Sequence, residues 1–344
     1  MPRAQSRDKA VEPHPSTPAK RVEAFRASLF HFVADPAEQG ERAYEYFDDG
    51  LLVLSDGVVE AAGDASALLP TLPATAKIVD YRGKLIVPGF VDTHVHYPQT
   101  DIIAAHGEQL LEWLERYTYP AERRFADPVH AREVADFFLA ELLRNGTTTA
   151  MVFATVHRQS VDAFFEAAQT RGARMIAGKC MMDRHCPEYL RDTAESSYED
   201  SHQLIAQWHA RDRLLYAVTP RFAPTSTERQ LELAGRLLDE HAGVYLQTHV
   251  AENRAEVAWV KDVFPWSRSY LDVYDRFGLL RERAVYGHCI HLDHADRARM
   301  AATPLIARRM KHAASVAERL FALAMLGDDR NVAATHLMGV RQSV

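Results

Sequence analysis

The sequence predicts an α/β fold, a TIM-type (β/α) barrel that is incomplete, with six of eight strands, beside a small β-rich module near the N-terminus. Three observations lead there. From residue 85 onward, strand-like and helix-like segments alternate, the rhythm of a parallel sheet with right-handed crossovers. Polar residues of chemical interest fall at the C-terminal ends of the strands, where a barrel builds its site. No Gly-rich phosphate turn follows a strand, which disfavours a doubly wound sheet.

Residues 1–20 are polar, contain Pro and lack the apolar core of a signal peptide, so they read as a disordered leader. Within 21–84, the segments 25–32, 43–47, 51–55, 57–62 and 76–82 read as strands separated by Asp, Gly and Pro turns, a small antiparallel module. The near-continuous apolar run 85–91 is expected to be the first barrel strand, buried on both faces. Helical spacing follows over 110–124 and 128–145, then a strand over 147–153. Helix 160–171 stops at Gly172 and leads to strand 174–181. Helix 198–211, strand 214–222, helix 227–241, strand 244–250, helix 269–277 and strand 284–290 continue the alternation. After residue 290 the chain offers only a helix over 304–326 and a terminal strand over 332–340. A βαβ unit takes roughly 30 residues or more, so two further units do not fit. The barrel is therefore expected over 85–302, with 303–344 as a C-terminal helix and strand.

The bulk properties are those of an ordinary globular protein of 344 residues, with net charge −7 and 47% hydrophobic residues. Mild acidity argues against a nucleic-acid surface, which needs a basic stripe. No apolar run approaches the roughly 20 residues that span a bilayer, so no membrane partner is expected. Cys180, Cys186 and Cys289 form neither a CxxC pair nor a disulfide framework, and a reducing, cytoplasmic home is the simplest reading.

The chemistry begins at VPGFVDTHVHYPQ, residues 87–99. Residues two apart on a strand share a face, so His94 and His96 aim two imidazoles at one point. Neutral imidazole is the commonest protein ligand for metals, and zinc is its default partner, with iron as the alternative. His249 ends the run VYLQTHVAE, Glu252 follows it, and His288 ends the next strand in VYGHCIHL. Taken singly, His249 reads as a core histidine, Glu252 as a solvated loop acid, and His288 competes with His291. Four such signals at successive strand ends favour a catalytic zinc pattern, three His with an open position. A Glu beside it can carry protons. Arg221 offers a planar fork for paired acceptors such as O6 and N7 of guanine, and Phe222 a stacking face. Gln99 offers a donor and an acceptor to an amide edge.

At these residues the chain resembles the amidohydrolase superfamily and, within it, the guanine deaminases. PGFVDTHVHYPQ, YTYPAE, NGTTTA, TPRFAPT, QTHVAEN and YGHCIHL match that family's signatures in order, and the resemblance extends over most of residues 21–296. The resemblance implies zinc on His94, His96 and His249. It implies Glu252 as proton shuttle and His288 as stabiliser of the attacking hydroxide or the oxyanion. Gln99, Arg221 and Phe222, with His249 and Glu252, would hold the purine, and guanine would become xanthine and ammonia. It further implies a β-sandwich built from both termini and a homodimer.

The match also departs from the family. The expected zinc-binding Asp at the end of the eighth strand and the Pro-Thr-Ser-Asn segment after the sixth are absent, and the chain passes near 301–303 directly to what resembles the family's C-terminus. An internal deletion is inferred, and turnover is expected to be impaired or lost. Two alternatives accompany this reading. One is a non-catalytic truncated paralogue that binds metal or pairs with a full-length subunit. The other is an amidohydrolase acting on another aminated heterocycle.

Overall fold

The computed structural model describes residues 21–107 and 109–301, together with residues 336, 337, 340 and 341. It divides into two compact units, Met1–Leu29 with Phe47–Ile86, and Phe30–Tyr46 with Val87–Val344.

The first sheet holds β1 (Val22–Phe32), β2 (Tyr44–Ser55), β3 (Val58–Asp64) and β4 (Lys77–Ile86) in the order β3-β2-β1-β4. Asp56 and Gly57, both at positive φ, close the tight β2–β3 hairpin. The sheet is mixed rather than antiparallel, because β1 and β4 pair parallel. The two strands expected at 43–47 and 51–55 are one continuous β2. Asp49 stays in register through two hydrogen bonds from Arg26, at 2.6 and 2.7 Å. A Cβ on Gly50 would sit 2.5 Å from Leu29 Cγ, so only glycine lets the strands approach there.

The second unit holds β5 (Phe90–His96), β6 (Thr147–Phe153), β7 (Arg174–Gly178), β8 (Cys180–Met181), β9 (Leu215–Pro220), β10 (Tyr245–Val250) and β11 (Ala284–His288). Their order is β5-β6-β7-β9-β10-β11, with β8 attached to β9, and every pairing is parallel. Spatial order thus follows chain order, as in a barrel that winds in one sense. A doubly wound sheet would reverse at a switch point. Six strands in line make an incomplete TIM-type barrel among the described residues.

The first barrel strand is not 85–91. Leu85 and Ile86 close β4, and Phe90 opens β5 after Pro88-Gly89. Leu85 is 50% exposed and Val91 63% exposed, so the apolar run is two strand ends rather than one buried strand. Gly89 lies so close to Thr148 that a Cβ would meet its Oγ1 at 2.1 Å.

Helices follow the strands. α1 (Pro128–Arg144) starts at Asp127, whose carboxylate accepts from Val129 N, with Pro at the first helical position. It buries Ala131, Val134, Ala135, Phe138, Leu139 and Leu143, a spacing of three and four. α2 (Arg158–Arg171) ends on Gly172 at φ +64°. α3 (Ala194–Trp208) and α4 (Glu228–Glu240) are capped by the Thr193 and Thr227 hydroxyls. α5 (Arg254–Val263), α6 (Tyr270–Arg276) and α7 (His294–Ala301) follow. The segment 110–124 is helical, with a π turn at Leu114–Thr118 between two short α-helices. Strand 174–181 divides at Lys179 into β7 and β8.

Near the C-terminus, β12 (His336–Leu337) and β13 (Val340–Arg341) pair with each other, antiparallel, instead of forming the one strand expected at 332–340. The leader 1–20 and the helix expected at 304–326 lie outside the described residues. No described helix is long and apolar enough to cross a membrane.

Candidate functional site

The strand ends bring four imidazoles together. His94 and His96 close β5, His249 lies one residue from the end of β10, and His288 is the last residue of β11. The ring of His94 lies 5.3 Å from that of His96, 4.8 Å from His249 and 5.1 Å from His288. The Nε2 atoms of His96 and His249 face each other at 3.0 Å. Ligand nitrogens of His94, His249 and His288 lie within 4.8 Å of one another.

Two backbone features aim these rings. The Nδ1–H of His249 donates to the Arg221 carbonyl at 2.6 Å, which leaves Nε2 with its lone pair toward His96. His288 and Cys289 sit at φ +68° and +57°, a left-handed turn that ends β11. Such strain in non-glycine residues clusters at functional sites. Phe153, fully buried, stacks on His96 at 4.5 Å and also touches the His94 and His249 rings.

Burial sets the protonation of the cluster. Desolvation, aided by the charge of His288, lowers the pKa of His94 to about 4. Desolvation, with His249 and then Arg221 adding to it, holds His96 well below the ordinary histidine value. Desolvation does the same to His249, aided by His94. All three are neutral near pH 7, the form that ligates metal. This carries a stability consequence. In the unfolded chain these imidazoles take up protons near their ordinary value of 6.5, while the folded chain refuses them until about pH 4 for His94. Stability of the chelator-treated chain is therefore full above pH 6.5 and declines as pH falls toward 4, by up to about 1.4 kcal/mol per pH unit for each such imidazole. Urea unfolding at pH 7 and pH 5 measures it, and His94→Asn should flatten the slope.

Glu252 stands 3.2 Å from His288 Nε2. Burial raises the Glu252 pKa against the pull of Arg221, and burial lowers that of His288. Both shifts work against an ion pair between them, and the two groups stand within hydrogen-bond distance. Glu252 is held by the start of α5. Glu256 accepts from the backbone N of Glu252 at 2.9 Å and of Asn253 at 3.1 Å, while Asn253 caps Ala255 N at 2.8 Å. Tyr270 fixes the other Glu256 oxygen at 2.6 Å. The sequence reading assigned no helix to 254–263; the Asn253-x-x-Glu256 capping box was the available signal.

Arg221 and Phe222 follow β9 directly and are both 3% exposed. An isolated bridge sets Phe222 beside His249. Arg221 Nη1 donates to both oxygens of the fully buried Glu122 at 2.8 Å, and its guanidinium lies over the Tyr119 ring. Burial opposes the charge, but Glu122, with Cys180 and Tyr119 adding to it, outweighs burial and keeps Arg221 protonated. Glu122 lies in the YTYPAE stretch yet was given no role from sequence, since its partner is 99 residues away. Phe222 meets Trp259 of α5 edge-on at 6.0 Å. Gln99 sits three residues after His96 on the turn Tyr97–Ile102, half-buried, and no hydrogen bond among the described residues fixes its amide. The structure thus brings together His94, His96, His249, His288, Glu252, Arg221 and Phe222, and no contact among the described residues fixes where the Gln99 amide lies.

Gly287 shows how tightly the cluster is built. A Cβ there would lie 2.6 Å from His94 Cε1 and 3.0 Å from its Nδ1. Gly287→Ala should displace that imidazole and weaken zinc binding by about tenfold or more, while far-UV circular dichroism stays unchanged. Competition with a chromophoric chelator measures this.

The profile of the amidohydrolase family matches residues 85–344. The chain belongs to the amidohydrolase family. Within it, the chain is similar to the guanine deaminase of Escherichia coli strain K12, 53% identical over 269 residues, 78% of this chain and 61% of that protein. A probable guanine deaminase of Deinococcus radiodurans is 39% identical over 285 residues, 82% of this chain and 65% of that protein. A solved structure of the E. coli guanine deaminase superposes with a TM-score of 0.78 at 50% identity, over 82% of this chain and 65% of that one. This amidohydrolase therefore spans about three fifths to two thirds of the length of the relatives it matches. Its donor set fits a borderline divalent metal, because neutral imidazoles converge and His249 is already held in the ligating tautomer.

Proposed function

We propose that the chain carries out metal-dependent hydrolytic deamination of guanine, at a turnover below that of the relatives it matches. Water adds at C2, the exocyclic amine leaves as ammonia, and xanthine is released. The observation that carries this reading is the convergence of four imidazoles beside Glu252, Arg221 and Phe222. His94, His96 and His249 would hold the metal, zinc first and iron as the alternative. When bound, such an ion lowers the pKa of water to about 7 and so supplies hydroxide at neutral pH.

Glu252, its pKa raised by burial, takes the water's proton and delivers protons to a ring nitrogen and the departing amine. His288, hydrogen-bonded to it, steadies the added oxygen. The bonds from Arg221 to Glu122 use Nη1 alone, so its other two guanidinium nitrogens are not engaged by that pair and suit purine O6 and N7. Phe222 offers its ring face, and Gln99 turns its amide to the purine edge. The reduced turnover is inferred from the departure of the chain near residues 301–303 from the family's pattern, where the resemblance implies a further metal-binding Asp. The free thiols Cys180, Cys186 and Cys289 accord with a reducing, cytoplasmic setting.

Calorimetric titration of the zinc-loaded chain with guanine tests the substrate assignment. Guanine should bind one per chain. Arg221→Lys, which keeps the charge against Glu122 but loses the fork, should weaken binding by about 10-fold or more. Equal affinity in that variant would move the reading to another aminated heterocycle.

A further inference from the structure

A second histidine pair lies at the opposite end of the barrel from the candidate active site. His202 is on α3, and His241 immediately follows α4. The helices return antiparallel to the strands, so His241 precedes the start of β10, whose far end carries His249. His241 Nε2 faces His202 Nδ1 at 3.0 Å, with ring centroids 4.8 Å apart. A carboxylate oxygen of Glu240 completes a set whose ligand atoms all lie within 4.8 Å of one another.

From this geometry we propose a second divalent-metal site, for zinc or a like borderline ion, formed by His202, His241 and Glu240 and clamping α3 to α4. Two imidazole nitrogens on one tetrahedral zinc, each at about 2.05 Å, stand about 3.3 Å apart, so the rings need to part by only a few tenths of an ångström. Outer partners already orient the carboxylate. Tyr198 donates to Glu240 Oε2, and Arg236 Nε donates to Oε1 at 2.7 Å. The C-terminal end of α4 adds the negative end of its dipole where the cation would sit. His209 is nearby but is not a ligand through Nδ1, which accepts from Tyr216 N at 3.1 Å. Binding needs one neutral imidazole to carry its proton on the distal nitrogen, with no net proton loss. The third position is a surface carboxylate and the remainder is water, so this site is the weaker of the two.

The test is competition of the full chain with a chromophoric chelator for Zn²⁺ at pH 7.5, read as numbers and classes of sites. Two classes are expected. His202→Ala and His241→Ala should each weaken the second class by about tenfold or more and leave the first in place, while His249→Ala should do the reverse. His202→Gln and His241→Gln, which retain a polar side chain, should give the same result if an alanine variant fails to fold. A single class in the unaltered chain, or a second class indifferent to both pair substitutions, would overturn the proposal without touching the barrel site.

Discussion

Glu122→Ala is expected to cost about 3–5 kcal/mol of folding stability, the range for breaking a buried ion pair from one side. Glu122 is fully buried and Arg221 is 3% exposed. Both carboxylate oxygens lie 2.8 Å from the same guanidinium nitrogen. Arginine does not give up its proton at accessible pH, so removing Glu122 strands a full positive charge in the interior. The Tyr119 ring beneath the guanidinium offsets only a fraction of that, because a cation–π contact contributes about 0.5–2 kcal/mol. Glu122→Gln keeps an acceptor and should cost less. Pairing Glu122→Ala with Arg221→Met should recover part of the loss, since the double change leaves no unpaired charge. Urea unfolding of the four proteins measures all of this. A cost below about 1 kcal/mol for Glu122→Ala would mean that water reaches the pair.

The second large effect belongs to His249. Its ring lies 4.8 Å from that of His94, 5.0 Å from His96 and 5.5 Å from His288, so, like His94, it touches every other ring of the cluster. Its Nδ1 hydrogen bond to the Arg221 carbonyl sets its tautomer and ties it to the strand that bears Arg221 and Phe222. His249→Ala removes a ligand and this anchor together. Loss of an outer partner of a metal ligand alone costs roughly 10–100-fold in affinity. Loss of the ligand should exceed about 100-fold in the tighter zinc class. A tight class that survives His249→Ala would place the metal elsewhere.

Much of the barrel was legible because its strands are short apolar runs bounded by turn residues. The strand expected at 147–153 matches β6 to the residue, and the alternation after it holds apart from the unassigned helix 254–263 and the division of strand 174–181. The error at 85–91 has a local cause. Apolar composition ran through Pro88-Gly89, but the chain changes sheets there, so the period of two that would have separated two half-exposed strand ends was masked. The His-x-His pair and the strand-end histidines needed only the geometry of a strand. Glu122 and Phe153 were out of reach for a different reason: their roles arise from packing between elements far apart in sequence. Gln99 lies on the turn Tyr97–Ile102 just past His96, and no partner among the described residues fixes its amide.

Ammonia release from guanine by the zinc-loaded chain tests the central claim most directly. The account predicts equal yields of ammonia and xanthine that depend on added zinc and vanish in Glu252→Gln and His249→Ala, at a rate well below that of the E. coli relative. No zinc-dependent release from guanine, or release that persists in both variants, would contradict it.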